Sequence, residues 1–290
     1  GLLSSGSVHT YIEHLFALTD FAAKNQVKDV KIHLFTDGKD SGLKESPVLI
    51  KKLQDHIAEA GVGSVATIIG RDFAMDRGKI WENTKKTYDL LVHGVGEKVK
   101  NISDKLNELY ALSITDSQMP PLTTDEQGLI KENDALIFFN FREDSMRQIA
   151  QTFIERDFKI FLIKNFKNLF VATMTQYLAD SLNVAFPLPE IKMGLAEILS
   201  LNGKTQFHIA ETEKYAHGTY FFNCLHNNPY AGEVDVYTSD IVNKVIASLN
   251  SEPANFYVIN LANADILSHS GSFEATIKGV EAVDEAIGKL

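Results

Sequence analysis

Hydrophobic positions along the chain alternate between helical spacing and short continuous runs typical of strands. Residues 11–25 place Ile12, Leu15 and Phe16 on one side of a helix, and the apolar run 30–35 follows as a strand. This alternation predicts an α/β fold with a mostly parallel sheet. The other predicted helices are 46–60, 77–92, 144–156, 190–201, 238–249 and one from about 272 onward. The other predicted strands are 64–69, 134–141 (expected to be buried), 206–210 and 256–262.

The pattern breaks near Pro187 and Pro189, and two prolines in three residues predict a stiff linker. We therefore expect two domains, residues 1–186 and residues 187–290. The segment 1–7 is typical of a loop entered from upstream, and the last helix stops without a capping glycine. Both ends are therefore expected to continue in a longer protein.

Composition narrows the class of protein. The net charge of -10 and the pI near 5.4 disfavour nucleic acid as a partner. No apolar run approaches the roughly 20 residues of a membrane span, so no membrane contact is expected. Cys224 is the single cysteine, which excludes an intrachain disulfide and favours a cytoplasmic location.

Charged residues follow three predicted strands, at the kind of sheet edge where ligands bind in open α/β folds. They are Asp37, Lys39 and Asp40 after the first, Arg71, Asp72, Asp76 and Arg77 after the second, and Arg142, Glu143, Asp144 and Arg147 after the third. A guanidinium can donate two parallel hydrogen bonds to phosphate or carboxylate, so these arginines suit a small substrate carrying both groups. Ordinary surface ion pairs explain the same residues about equally well.

Two later segments also carry candidate chemistry. Asp265 and His269 are four residues apart, so a helix would place both on one face, where they could bind Zn²⁺ or Mn²⁺. A loop aspartate and a locally bonded histidine are the simpler alternative. In the segment 211–217, Lys214 could neutralise a phosphate and His217 could bond backbone or substrate, and a solvated strand end is an equal alternative.

Several segments resemble, in order, motifs of the 2,3-bisphosphoglycerate-independent phosphoglycerate mutases. The transferase-domain motifs are GLLSSGSVH (1–9), FTDGKD (35–40), GRDFAMDR (70–77) and FNFR (139–142), and the phosphatase-domain motifs are ETEKYAH (211–217) and NAD through HSG (263–271). The resemblance covers essentially the whole chain. It implies a nearly complete inserted transferase domain and part of an alkaline-phosphatase-like α/β domain.

The resemblance also implies a reaction and a set of site residues. The family interconverts 3-phosphoglycerate and 2-phosphoglycerate in glycolysis and gluconeogenesis through a phosphoserine, with two divalent ions, usually Mn²⁺, and without added 2,3-bisphosphoglycerate. By motif position, substrate would be bound by His9, Lys39, Asp40, Arg71, Arg77 and Arg142, with Lys214 beside the phosphate. Asp265 and His269 would be ligands of one metal ion. On pattern alone, His9 is an ordinary residue before a helix.

Some features depart from the family pattern. Lys39 and Ser145 stand where the family usually has arginine, and a Pro-Ser-Pro stretch is missing between residues 233 and 237. The nucleophilic serine and the remaining metal ligands lie outside the chain, so no catalytic nucleophile is assigned and the chain alone is expected to be inactive. A monomer is expected. The alternatives are another metal-dependent phosphomutase or phosphatase of the same superfamily, and a non-catalytic phosphoglycerate-binding relic.

Overall fold

The computed structural model describes residues 1–187, 191–268 and 271–290. The chain forms two compact units, residues 1–188 and residues 189–290. The first has two sheets and two hydrophobic clusters, and the second has one of each. Most strand pairs are parallel, so the predicted α/β class is confirmed. Among the described residues, no helix is long and apolar enough to cross a membrane.

The first unit contains a five-stranded sheet and a separate two-stranded sheet. The five strands are β1 (Leu2–Leu3), β2 (Lys31–Thr36), β3 (Ser64–Gly70), β4 (Glu97–Lys98) and β5 (Leu122–Thr123). Their order is β1-β2-β3-β5-β4, and the pair β3–β5 is antiparallel. The small sheet pairs β6 (Ala135–Phe138) with β7 (Phe170–Thr173) in parallel.

Helices cover both faces of the five-stranded sheet. They are α1 (Ile12–Lys24), α2 (Ser46–Ala60), α3 (Arg71–Ala74), α4 (Trp81–His93), α5 (Ile102–Ala111) and α6 (Arg147–Ile154). Successive side chains of a strand point to opposite faces. Leu34 and Ile68 therefore pack with α1, α2 and α5, whereas Phe35 and Ile69 pack with α4 and α6. The sheet thus lies between two hydrophobic clusters, and its paired strands β2 and β3 end side by side.

Several predicted elements in this unit are corrected by the structure. The helix expected at 77–92 begins at Trp81, because residues 71–74 form a separate turn of helix and 75–80 are a loop. The strand expected at 134–141 is only four residues long, and it is not buried, since half of the Ile137 side chain is exposed. It belongs to the small sheet rather than to the centre of the large one. Residues 1–7, expected to be a loop, contain strand β1, and helix α5 and strands β4, β5 and β7 were not predicted.

The second unit is a three-stranded parallel sheet with helices. Its strands are β8 (Gln206–Ala210), β9 (Glu233–Tyr237) and β10 (Phe256–Asn260), in the order β10-β8-β9. Its helices are α7 (Leu195–Leu201), α8 (Ile241–Ser251), α9 (Asn263–Ser268) and α10 (Phe273–Lys289), with a short π-helix at His217–Phe221. One face of the sheet packs Ile209 against Ile241 and Val245 of α8. The predicted helix 190–201 begins, within the described residues, at Leu195, and β9 was not predicted.

Candidate active site

The charged residues that follow β2 and β3 meet, because these two strands are parallel neighbours. Nη1 of Arg71 lies 2.6 Å from the carboxylate of Asp37 and 2.7 Å from that of Asp40. The Asp37 side chain is 1% exposed and that of Arg71 is 10% exposed. Both contacts use one nitrogen, so the opposite edge of the guanidinium can still donate to a ligand.

Asp37 is ionised at the centre of this group. Burial raises the pKa of Asp37, but hydrogen bonds from Ser4 and Arg71 lower it by more than burial raises it. The pKa therefore lies below its ordinary value. The backbone N–H groups of Lys39 and Asp40 also donate to Oδ1 of Asp37. One buried carboxylate therefore fixes both the arginine and the loop that carries Lys39 and Asp40.

Residues 4–9 form a second loop, which packs closely against the backbone of the loop that carries Lys39 and Asp40. A side-chain carbon on Gly6 would lie 2.1 Å from the backbone oxygen of Asp40, so only glycine fits there. Strand β1, which precedes the loop, pairs in parallel with the end of β2. The two loops therefore pack together in one arrangement.

The residues after β6, the third predicted strand, are joined to this cluster by hydrogen bonds and not by sheet pairing, because β6 is not part of the five-stranded sheet. Oδ1 of Asn140 accepts a hydrogen bond from the backbone N–H of Leu2 at 3.0 Å. The N–H of Phe141 donates to the backbone oxygen of His9 at 2.9 Å. These two bonds attach the segment after β6 to the loop after β1, and they bring Arg142 to the site.

Asp144 connects the remaining members of the cluster. Its Oδ2 lies 3.0 Å from Nη1 of Arg77 and 3.3 Å from Nη2 of Arg142. Its Oδ1 lies 3.7 Å from Nδ1 of His9. Burial raises the pKa of Asp144, but the charge of Arg142 and a hydrogen bond from the Ser145 N–H outweigh it and lower the pKa. The sequence pattern placed Asp144 among the charged residues after the third predicted strand, two positions beyond the FNFR motif, but assigned it no individual role.

His9 is a buried member of the cluster, not an ordinary residue before a helix. Burial, and then the charge of Arg71, lower its pKa, so the imidazole is neutral near pH 7. Among the described residues, its buried Nδ1 has no hydrogen-bond partner, although Asp40 and Asp144 are within 4.0 Å of the ring. A buried polar atom without a partner suits a site completed by a ligand.

Lys39 and Ser145, the two departures from the family pattern, differ in environment. Nζ of Lys39 lies 2.5 Å from Asp72, which also accepts a hydrogen bond from Ser117. Ser145 is buried, and both its backbone N–H and its hydroxyl donate to Oδ1 of Asp144. The guanidinium of Arg147, the nearby arginine, lies 3.5 Å from Glu143.

The cluster contains equal numbers of cationic side chains and carboxylates. The cations Lys39, Arg71, Arg77 and Arg142 face the carboxylates of Asp37, Asp40, Asp72 and Asp144. The two sides of the cluster differ in exposure: Arg71 is nearly buried, whereas the side chain of Arg77 is 66% exposed and that of Arg142 is 45% exposed. An incoming anion can therefore reach Arg77 and Arg142 directly, while Arg71 keeps its two partners.

In the second unit, the two candidate segments also meet. Nζ of Lys214 lies 2.6 Å from Oδ2 of Asp265. Helix α9 begins at Asn263, so Asp265 lies in its first turn. The ring of His217 lies against that of Phe221. His269 lies outside the described residues. Within the described part of the chain, which excludes His269, Asp265 belongs to no group of three potential metal ligands.

A different group in the second unit was missed by sequence reasoning. His208, Glu233 and Asp235 place one potential ligand atom each within 4.8 Å of one another. The signal was available, because polar residues alternate with apolar ones in QFHIA and EVDVY, which is the pattern of strands with one polar face.

Comparisons with known proteins agree with the motif order. A family model described as "BPG-independent PGAM N-terminus" matches residues 1–179, and one described as "Metalloenzyme superfamily" matches residues 165–290. The whole chain is 38% identical to the 2,3-bisphosphoglycerate-independent phosphoglycerate mutase of Clostridioides difficile (strain 630), of which it covers 61%. It is also 38% identical to that of Onchocerca volvulus and covers 60% of it.

A solved structure is similar as well. The crystal structure of Leishmania mexicana phosphoglycerate mutase at low cobalt concentration matches with a TM-score of 0.78 and 27% sequence identity, over the whole of this chain and 59% of that one. The chain thus spans about six-tenths of the length of the relatives it matches. The first family model alone covers more than half of the chain, and therefore the chain belongs to the family of 2,3-bisphosphoglycerate-independent phosphoglycerate mutases.

Proposed function

We propose that this chain acts in a phosphoglycerate mutase, which interconverts 3-phosphoglycerate and 2-phosphoglycerate through a phosphoserine, and that its first unit binds the glycerate part of the substrate. The observation that supports this most is the convergence of Arg71, Arg77 and Arg142 around His9 and two aspartates. Three guanidinium groups are suited to a small molecule with carboxylate and phosphate at opposite ends.

The exposed arginines would make the first contacts with the anion. Arg77 and Arg142 share Asp144 as a partner, and each can exchange part of that contact for a bidentate bond to a substrate group. Neutral His9 could donate or accept a hydrogen bond to a hydroxyl without adding charge. Arg71 and Asp40, held by Asp37, would fix the orientation of the glycerate. Lys39 would contribute a single ammonium charge where the family usually has a guanidinium that can donate two parallel hydrogen bonds.

For the second unit, we propose that Lys214 stabilises charge on the transferring phosphoryl group and that Asp265 and His269 are ligands of one of two divalent ions, of which Mn²⁺ is the most suitable. A bound ion would polarise a phosphoryl oxygen there. The ammonium of Lys214 beside the carboxylate of Asp265 supports this pairing of roles. We further propose residues 1–186 as the substrate-binding domain and 187–290 as the metal-binding domain, in a cytoplasmic monomer.

The substrate-binding role is tested by titration calorimetry of the 290-residue chain with 3-phosphoglycerate. Arg142→Ala should weaken binding by about tenfold or more, since one bidentate charged contact contributes about 1.5–3 kcal/mol. The matched control is Arg156→Ala, which removes an exposed arginine just beyond the other end of α6 and should leave affinity unchanged. Equal loss in both variants, or no binding by the unmodified chain, would exclude the proposed site.

The reaction itself is tested in the native full-length protein, by following 2-phosphoglycerate formation with added Mn²⁺. Turnover that falls with Arg142→Ala but not with Arg156→Ala is the expected result. Hydrolysis of the phosphoester without isomerisation would favour a phosphatase of the same superfamily. Binding of 3-phosphoglycerate with neither reaction would favour a non-catalytic binding protein.

A further inference from the structure

One face of the sheet in the second unit carries a buried polar cluster that the proposed function does not use. Strands β8 and β9 pair in parallel with His208 opposite Asp235 and Gln206 opposite Glu233. Because side chains alternate between faces, His208, Glu233 and Asp235 project to the same side. The other side is the apolar core that contains Ile209.

The cluster is deeply buried yet incompletely bonded. His208 has 0% exposure, as does the Glu233 side chain, and that of Asp235 is 13% exposed. Glu233 accepts hydrogen bonds from Asn223 at 2.6 Å and from the Tyr230 N–H at 2.9 Å. Over the described ranges, however, Nδ1 of His208 and Oδ1 of Asp235 have no hydrogen-bond partner. Two buried carboxylates and a histidine without a cation are costly in free energy.

The positions of the unpartnered atoms indicate what is missing. Nδ1 of His208 lies 3.2 Å from Oε1 of Glu233 and 3.7 Å from Oδ1 of Asp235. Around a tetrahedral zinc ion with bonds of about 2.1 Å, neighbouring ligand atoms are about 3.4 Å apart. These two distances lie on either side of that value, and the third pair of ligand atoms, on Glu233 and Asp235, lies within 4.8 Å.

We propose that His208, Glu233 and Asp235 form a binding site for a divalent transition-metal ion, best represented by Zn²⁺. One imidazole nitrogen and two carboxylate oxygens are ligands that Zn²⁺ accepts, and its charge balances both carboxylates. The donors lie on β8 and β9, whereas Asp265 lies on α9, so this site does not depend on the proposed mutase activity.

The test uses the full 290-residue chain, stripped with chelator and titrated with ZnCl₂ against a chromophoric chelator. His208→Gln and Asp235→Asn keep the side chains near their original size and should each weaken Zn²⁺ binding by about a hundredfold or more. His226→Gln, which changes an exposed histidine of the same unit, is the control and should keep this binding. Zn²⁺ should also raise the melting temperature of the unmodified chain but not of the two site variants.

Unchanged Zn²⁺ affinity in folded His208→Gln and Asp235→Asn, or no stoichiometric binding by the unmodified chain, would overturn the proposal. Circular dichroism establishes whether the variants fold. If they do not, X-ray absorption at the zinc edge of the unmodified chain decides, since one imidazole with oxygen ligands is expected. Two or more imidazoles, or oxygen ligands alone, would overturn the assignment.

Discussion

Nη1 of Arg77 lies 3.0 Å from Oδ2 of Asp144, and this contact joins the loop after β3 to the segment after β6. The two residues are 67 positions apart in sequence. The same carboxylate also lies 3.3 Å from Arg142. Asp144 therefore occupies two guanidinium groups that an anionic ligand would need.

We expect Asp144→Asn to tighten the binding of inorganic phosphate to the chain by about threefold to tenfold. The variant removes a competing negative charge, and each exposed ion pair that it weakens is worth about 0.2–1 kcal/mol. Titration calorimetry at low ionic strength measures the change, and added salt should reduce it. Asp157→Asn, at an exposed position beyond α6, is the control. Weaker phosphate binding in Asp144→Asn would show that Asp144 positions the arginines rather than competing for them.

Arg71 has a different role in stability from Arg77, because it is nearly buried. Arg71→Ala should lower the free energy of unfolding by about 3–5 kcal/mol, since it leaves the buried carboxylate of Asp37 without its cation. Arg77→Ala should lower it by less than about 1 kcal/mol. Urea unfolding followed by circular dichroism compares the two. Similar losses in both variants would contradict the inferred burial of charge at Asp37.

The pH dependence of stability should show the ionised state of Asp37. Its pKa in the folded protein lies below the ordinary 3.8, so the folded state binds this proton less tightly than the unfolded state. The resulting stabilisation is present above about pH 3.8 and is lost as the pH falls through the lower, folded pKa. Asp37→Asn should therefore reduce the acid-dependent slope of the unfolding free energy, whereas Asp157→Asn should not. An unchanged slope in Asp37→Asn would mean that Asp37 is not held ionised.

The sequence was sufficient for the α/β class and for placing Asp40 and Arg71 at the ends of two strands. That these strands are parallel neighbours, which brings the two residues together, is shown by the structure. It could not show how Arg142 joins them, since that depends on Asn140 and Phe141 bonding to residues more than a hundred positions earlier. Such long-range contacts leave no local periodicity. The short strands β4 and β5 were missed for a related reason: two residues are too few for a pattern.

Gly6→Ala should disrupt the site without unfolding the chain. The added methyl carbon would meet the backbone oxygen of Asp40, so the loop 4–9 must move away from the loop that carries Asp40. His9 lies on the moving loop, and we expect 3-phosphoglycerate binding to weaken by about tenfold or more, given how strongly small displacements affect positioned groups. Gly288→Ala is the control, since a side-chain carbon there meets nothing within 4 Å. Full affinity in Gly6→Ala would exclude a role for this loop in binding.

We expect a substitution of Lys214 to lower turnover without weakening metal binding, and a substitution of Asp265 to weaken metal binding itself. Lys214→Met removes a cation that lies 2.6 Å from Asp265, so Mn²⁺ affinity of the native full-length protein should be retained or increased. Turnover should nevertheless fall by at least about a hundredfold, because the charge on the transferring phosphoryl group loses one stabilising cation. Asp265→Asn should weaken Mn²⁺ binding itself, and higher Mn²⁺ concentrations should restore part of its activity. If excess Mn²⁺ also rescued Lys214→Met, the lysine would act through the metal site and not on the phosphoryl group.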